Sequence, residues 1–340
     1  MILWYCRFMD NPKTLQQAIQ YFSDEKVCID AVAAMRWPEG AYCPACLTKE
    51  PYYLKTQKRF KCRECRRQFS VKLGTIFEDS PLPLQKWLPA MWMLANCKNG
   101  VSSWEIHRAL GITQKSAWFM LHRLRLAMKG YDLGTKLGGK DDGGAVEVDE
   151  AFFAPKPKNM HREKRERYQR ENASPSGGTH KTVVIGLLDR ETKEIRAKRI
   201  PDVKRETLQE QILKNVKFGS KVYTDDAVPY NRLNWHYVHE VVNHANEYVR
   251  GQVHTNGLEN FWSLFKRHLR GTYVAVEPFH LDRYLDEQVF RFNNRGNKEV
   301  PMDDYARFQK LLGQVAHKRL TYAELTGKTE DAKTTTPEPF

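Results

Sequence analysis

Four cysteines and a small set of acids are the residues in this sequence whose spacing can do chemistry. "CPAC" at 43–46 and "CREC" at 62–65 form two C-x2-C pairs fifteen residues apart. Each pair fits a tight knuckle, and two knuckles supply four thiolates, the tetrahedral set that suits Zn²⁺. A set closed by Cys43, Cys46, Cys62 and Cys65 leaves no open coordination position, so this metal is expected to be structural. Metal binding also explains how a short segment with little apolar core can fold. The competing reading of such pairs is redox chemistry.

The acids lie further along. "KVYTDDAVPY" at 221–230 runs an apolar strand pattern into Asp225 and Asp226. Asp226 suits a turn or helix cap, which leaves Asp225 for a metal, although a register slip of one residue would exchange the two. Asp149, in "VEVDEAFF", is flanked by Val146, Val148, Phe152 and Phe153, where a lone charge is costly to bury. Its neighbour Glu150 faces the opposite side by alternation. Glu259 lies in "HTNGLENFWSLFKRHLRG". Asn256, three residues before it, gives the spacing of a capping box. The helix beyond has an apolar face of Leu258, Phe261, Trp262, Phe265 and Leu269. Glu259, Ser263, Lys266 and Arg270 form a second, polar stripe. A carboxylate and a lysine two turns apart suit metal and DNA phosphate respectively, and capping alone does not call for such a stripe. His254 reads either as an assistant in that chemistry or as part of the helix start.

The elements that must position these groups are legible from periodicity. Strand patterns cover "AVEVDEAFF", "TVVIGLLD", "EIRAKRIP", "KVYTDD" and "HYVHEVV", with a helical segment at 204–216 and two more near 256–270 and 278–293. Asp225 follows Asp149 by 76 residues and precedes Glu259 by 34. Strand, strand, strand, helix, strand, then a late helix is the layout of an RNase H-like α/β domain with a mixed five-stranded sheet. There the first acid lies on the central strand, the second at a neighbouring strand end and the third on a helix beside them. Between the first two strands, residues 155–181 carry eight Lys/Arg against three Glu and are expected to form a solvated loop able to touch DNA.

Residues 102–128, "SSWEIHRALGITQKSAWFMLHRLRLAM", follow helix-turn-helix grammar. Ser102 or Ser103 caps the first helix, Gly111 supplies the turn and Thr113 caps the second. Ala117, Met120, Leu121 and Leu124 then face inward, leaving Gln114, Lys115, Arg123 and Arg125 for solvent or DNA. A plain helical bundle is the competing reading. The chain carries 55 Lys/Arg against 41 Asp/Glu, a net +14, which expects a polyanionic partner. Its seven cysteines do not form a disulfide framework. No apolar run is long enough to span a bilayer, and no signal peptide opens the chain, so a cytoplasmic, nucleoid-associated protein without membrane contact is expected.

The multidomain division is therefore: an N-terminal helical segment (1–40), a small zinc ribbon (41–75), a helical helix-turn-helix domain (83–129), a linker (130–144), the α/β domain (145–300), a C-terminal helical segment (301–327) and a disordered tail (328–340). "RWPEGAYCPAC", "ALGITQKSAWFMLHRLR", "VEVDEAFF", "VYTDDAVPY", "HTNGLENFW", "FKRHLRGTY" and "RFNNR" occur in order. Together they resemble the bacterial insertion-sequence transposases that join an N-terminal zinc ribbon to an acid-triad (DDE) RNase H-like catalytic domain, the ISXO-like group. Some relatives carry Asn at the third acid, whereas Glu259 is present here. The resemblance implies binding of terminal inverted repeats and target DNA, followed by strand cleavage and strand transfer by a homo-oligomer. It further implies that Asp149, Asp225 and Glu259 hold two Mg²⁺ or Mn²⁺ ions, with Lys266 and Arg270 on phosphate. A regulator with an inactive nuclease-like domain, and a nuclease that cuts without joining, are the alternatives.

Overall fold

The computed structural model describes residues 11–130, 134–138, 144–154, 157–171, 181–225, 228–231, 233–242, 254–274, 276–296 and 300–328. Residues 1–130 with 296–340 form one unit and 131–295 another.

The first unit begins with helices α1 (Leu15–Tyr21) and α2 (Glu25–Arg36). Thr14 and Gln17 close a capping box on α1, and the Asp24 carboxylate accepts from the Lys26 N–H to start α2. Ala18, Tyr21 and Phe22 are buried, while Leu15 and Ile19 stay 38% and 48% exposed. Three short antiparallel strands follow, β1 (Tyr52–Leu54), β2 (Arg59–Lys61) and β3 (Gln68–Phe69). Then come α3 (Leu84–Asn96), α4 (Ser103–Leu110) and α5 (Gln114–Met128). Ser102 and Glu105 close a capping box on α4, Gly111 ends it at φ 61°, and the Thr113 hydroxyl accepts from the Ser116 N–H of α5. This is the helix–turn–helix pattern expected from 102–128.

The second unit is built on a five-stranded sheet in the order β6-β5-β4-β7-β8. Its strands are β4 (Ala145–Phe153), β5 (Thr182–Asp189), β6 (Ile195–Ile200), β7 (Lys221–Asp225) and β8 (Val238–Val242). β4–β5 and β5–β6 are antiparallel, whereas β4–β7 and β7–β8 are parallel, so the sheet is mixed as expected. Alternation along the strands sends side chains to two cores. Val146, Val148, Ile185 and Val222 pack with Leu208 and Ile212 of α7 (Arg205–Asn215). On the other face, Val184 and Leu188 pack with Leu258, Phe261, Trp262 and Phe265 of α8 (Asn256–His268) and Leu281 and Leu285 of α9 (Leu281–Asn293). Each such apolar side chain contributes about 1.5–3 kcal/mol when fully buried.

Two segments differ from expectation. Within the basic insert the structure has a helix, α6 (Arg162–Glu171), rather than a continuous loop. In the expected linker, Leu137 is buried in the α7-side core and bridges Val216. After the sheet the chain returns to the first unit as α10 (Asp304–Leu312) and α11 (Tyr322–Leu325). The expected disordered tail, apart from Lys328, and Asp226 lie outside the described residues.

Candidate active site and metal centre

In the ribbon the chain turns sharply after each cysteine pair, with Leu47 at φ 63° and Arg66 at φ 60°. These turns aim all four thiols inward, and the Sγ atoms of Cys43, Cys46, Cys62 and Cys65 lie within 4.8 Å of one another. None is in a disulfide. The Thr48 hydroxyl beside Cys46 pulls that thiol down to about 6, toward the thiolate a metal requires. Four soft sulfur donors at this span fit Zn²⁺. Beneath them Trp37, Phe60 and Phe69 form an aromatic core, with ring centroids 5.3 to 6.1 Å apart.

The acids lie in the second unit. Ala145 pairs with Lys221, Val146 with Val222 and Glu147 with Tyr223, and the ladder ends there, two residues short of Asp149 and Asp225. Asp149 projects to the α8 side, where its Oδ2 accepts from the Trp262 indole N–H at 3.0 Å. Its Oδ1 accepts from the Glu150 N–H at 2.9 Å. Burial, reinforced by the Asp225 and Glu259 charges, lifts its carboxyl to about 6. Gly186 stands opposite Asp149 on β5, and a Cβ there would lie 2.7 Å from the Trp262 ring. The absence of a side chain at 186 therefore lets α8 approach closely enough for Trp262 to reach Asp149.

A cleft of about 710 Å³ opens at this point. Asp149, Glu150 and Glu259 line it together with Ser263, Lys266, Arg267 and Arg270. The polar stripe of α8 read from sequence thus faces one cavity, and Arg267 joins it unanticipated. The capping box anticipated for Glu259 does not form. Thr255 precedes the helix, and the Leu258 N–H is instead capped by Glu147 from β4 at 3.0 Å. Glu259 is exposed and lines the cleft. Asp225 is not among the lining residues, and Asp149, Asp225 and Glu259 do not close to the 4.8 Å span that groups the cysteines. Hard oxygen donors of this kind fit Mg²⁺ or Mn²⁺.

Three further residues escaped the sequence reading. Tyr230, in "TDDAVPY", donates its hydroxyl to Glu150 from the α7 side, as alternation requires. Burial raises the Glu150 carboxyl to about 7 although it also borders the cleft. Glu147, 2% exposed, accepts from Arg190 Nε at 2.7 Å, and Arg190 in turn donates to the His254 carbonyl at 2.8 Å. His254 therefore belongs to the start of the α8 segment. Period-two alternation, which sets Glu147 on the same face as Asp149, was the signal for it.

The helix-turn-helix candidates divide. Lys115 is exposed, with its ammonium 4.7 Å from the Tyr322 ring centroid, and Gln114 is half-buried and donates to the Ser103 hydroxyl at 2.8 Å. Arg123 and Arg125 are 3% and 1% exposed, which corrects the expectation that they face solvent. Arg123 lies 5.5 and 5.3 Å from the Trp87 and Phe119 ring centroids and donates to the Glu78 carbonyl. Burial lowers its pKa to about 10.

Residues 142–293 match the ISXO2-like transposase domain and residues 23–68 the transposase zinc-ribbon domain. A Halobacterium salinarum protein, described as uncharacterized and encoded in transposable element ISH50, is 26% identical over 286 residues, 80% of this chain and 94% of that one. An uncharacterized transposase-like protein of Haemophilus influenzae is 35% identical over 96 residues, 28% of this chain and 77% of its own. A chain in the simian T-cell lymphotropic virus intasome structure is 12% identical at a TM-score of 0.30, over 64% of this chain and 74% of that one, too distant to bear on the fold.

Proposed function

We propose that this chain, which belongs to the ISXO2-like family of insertion-sequence transposases, binds the ends of its element and catalyses metal-dependent cleavage and joining of DNA strands. The observation that carries this reading is the cleft in which Asp149 and Glu259 stand with Lys266 and Arg270. Acids that can hold cations there border cations that can hold phosphate.

Asp149, Asp225 and Glu259 are the ligands in this reading. Two divalent ions bound there would supply a nucleophilic water at neutral pH and neutralise charge on the leaving 3′ oxygen. Trp262 and the Glu150 N–H hold the Asp149 carboxylate in one rotamer, so that the ligand is pre-aimed. Lys266 and Arg270, two and three turns beyond Glu259, seat the scissile phosphate and its neighbour. Joining is the same in-line displacement with a freed DNA 3′ hydroxyl as nucleophile, and it needs no covalent enzyme intermediate.

Residues 41–75 and 83–129 are assigned to recognition of the terminal repeats, the ribbon through its nine Lys/Arg between 43 and 72 and the helix pair through Lys115 and Gln114. Residues 145–300 are assigned to catalysis, and a homo-oligomer that pairs two ends is the working form. A protein acting on chromosomal DNA would work at the nucleoid; no described helix is long and apolar enough to cross a membrane. The test is strand cleavage and strand transfer on end-containing duplexes. Asp149→Asn, Asp225→Asn and Glu259→Gln should each abolish both reactions while leaving end binding intact. Cleavage without transfer by the parent protein would identify a nuclease instead.

A further inference from the structure

Glu147 is a buried acid that the cleavage chemistry does not use. It lies two residues before Asp149 on the same face of the central strand, 2% exposed. Its Oε2 accepts from the Leu258 N–H at 3.0 Å and its Oε1 from Arg190 at 2.7 Å. Both oxygens are therefore committed, and the Arg190 guanidinium balances the charge. That guanidinium also donates to the His254 carbonyl at 2.8 Å and lies 4.7 Å from the Tyr223 ring centroid on β7. One ion pair thus ties β4, β7 and His254, two residues before α8, together.

The start of α8 is built to accept this. Thr255 precedes the helix but its side chain caps nothing. The N–H groups of a first helical turn need acceptors, and one comes here from across the sheet. Gly257 makes room for it. A Cβ at 257 would lie 2.8 Å from Glu147 Oε2 and 2.3 Å from Leu188 Cδ2. Leu258, whose N–H Glu147 holds, is bonded directly to Glu259.

We propose that Glu147 is a positioning residue for the metal site: by capping α8 from the Asp149 strand it fixes the distance between Asp149 and Glu259. The inference rests on the assignment of those two acids as metal ligands. Glu147 ligates nothing itself. It holds the third acid through the helix backbone and the first through its own strand, so that a cation meets a preset pair rather than two independent carboxylates.

The experiment is a Mn²⁺ titration of the full, zinc-loaded chain, with free Mn²⁺ read by electron paramagnetic resonance. Folding is checked by near-ultraviolet circular dichroism, and Asp149→Asn serves as control. Glu147→Ala should weaken Mn²⁺ binding by about tenfold or more, the range seen when a ligand's supporting partner is lost. Gly257→Ala, which attacks the same contact from the helix side, should weaken it in the same direction. Glu147→Gln keeps an acceptor for the Leu258 N–H and should recover much of the affinity. Folded Glu147→Ala and Gly257→Ala proteins that bind Mn²⁺ as tightly as the parent, while Asp149→Asn does not bind, would overturn the positioning role and leave the ligand assignment standing. Should Glu147→Ala fail to fold, Gly257→Ala decides: parental affinity in that variant overturns the role and weakened affinity supports it. A parent protein that binds no Mn²⁺ beyond the Asp149→Asn control would overturn both.

Discussion

Replacing Asp149 by Asn should stabilise the protein in the absence of divalent cations, even though it removes a residue assigned to the reaction. The folded state raises the Asp149 carboxyl from 3.8 to about 6, first by burial and then by the Asp225 and Glu259 charges. A raised acid pKa means that the folded state binds the proton more tightly than the unfolded chain. Below about pH 4 both states are protonated and there is no penalty. Between about pH 4 and 6 the penalty grows as the unfolded chain's carboxyl ionises while the folded one still holds its proton, and above about pH 7 it is complete. Two units correspond to about 3 kcal/mol at most, and partial solvent access leaves about 1–3 kcal/mol. The neighbouring Glu150 carboxyl, itself raised to about 7 in part by Asp149, is relieved in the same direction. Asn retains an oxygen that can accept from Trp262. For a unit of this size the gain corresponds to about 2–10 °C in midpoint. The assay is thermal unfolding of parent and Asp149→Asn at pH 8 and pH 4 without added divalent ions, then at pH 8 with millimolar Mg²⁺. The variant should melt higher at pH 8, match the parent at pH 4, and lose its advantage when Mg²⁺ stabilises only the parent. A variant less stable than the parent at pH 8, or a gain equal at both pH values, would refute the reasoning.

Cys43→Ser should lower bound zinc from one per chain toward none by atomic absorption and weaken binding to element ends, because three thiolates no longer close the site. Gly186→Ala should cost about 1–3 kcal/mol in urea unfolding and reduce cleavage, since its methyl group would displace the Trp262 ring that holds Asp149. Glu287→Ala should cost about 3–5 kcal/mol, as it leaves the buried Arg291 without the carboxylate it pairs with and frees the Tyr273 hydroxyl behind the Arg270 turn. Retained stability in that variant by urea denaturation would show that the cluster is dispensable.

The sheet was readable because alternation is a local signal: the five strand patterns fall on β4 to β8, and Val146 and Val148 go to one core while Asp149 and Ala151 go to the other. The α8 stripe was readable for the same reason, at helical period. What sequence spacing could not show was partnership across the fold. Glu147 meets Arg190 at a separation of 43 residues and the Leu258 N–H at 111, distances at which no periodicity operates. Gly186 has meaning only because Trp262 lies over it. The Asn256–Glu259 spacing imitated a capping box, but tertiary capping by Glu147 displaced it. Arg123 and Arg125 misled through composition. Charge on a helix predicts solvent, yet aromatic faces and the Glu78 carbonyl offer Arg123 a buried berth. In the insert, the run of charged residues suggested a loop, whereas the structure has the helix Arg162–Glu171, in which Arg162 and Glu166 pair at i,i+4.

The assignment of Asp149, Asp225 and Glu259 as ligands is decided by where a divalent cation binds. Crystals of the protein soaked in Mn²⁺ and recorded at a wavelength where manganese scatters anomalously would locate it. The ligand assignment predicts manganese held by carboxylate oxygens of Asp149, Asp225 and Glu259, with the Glu147 carboxylate still on the Leu258 N–H. Manganese bound elsewhere, with those three side chains left apart, would contradict it.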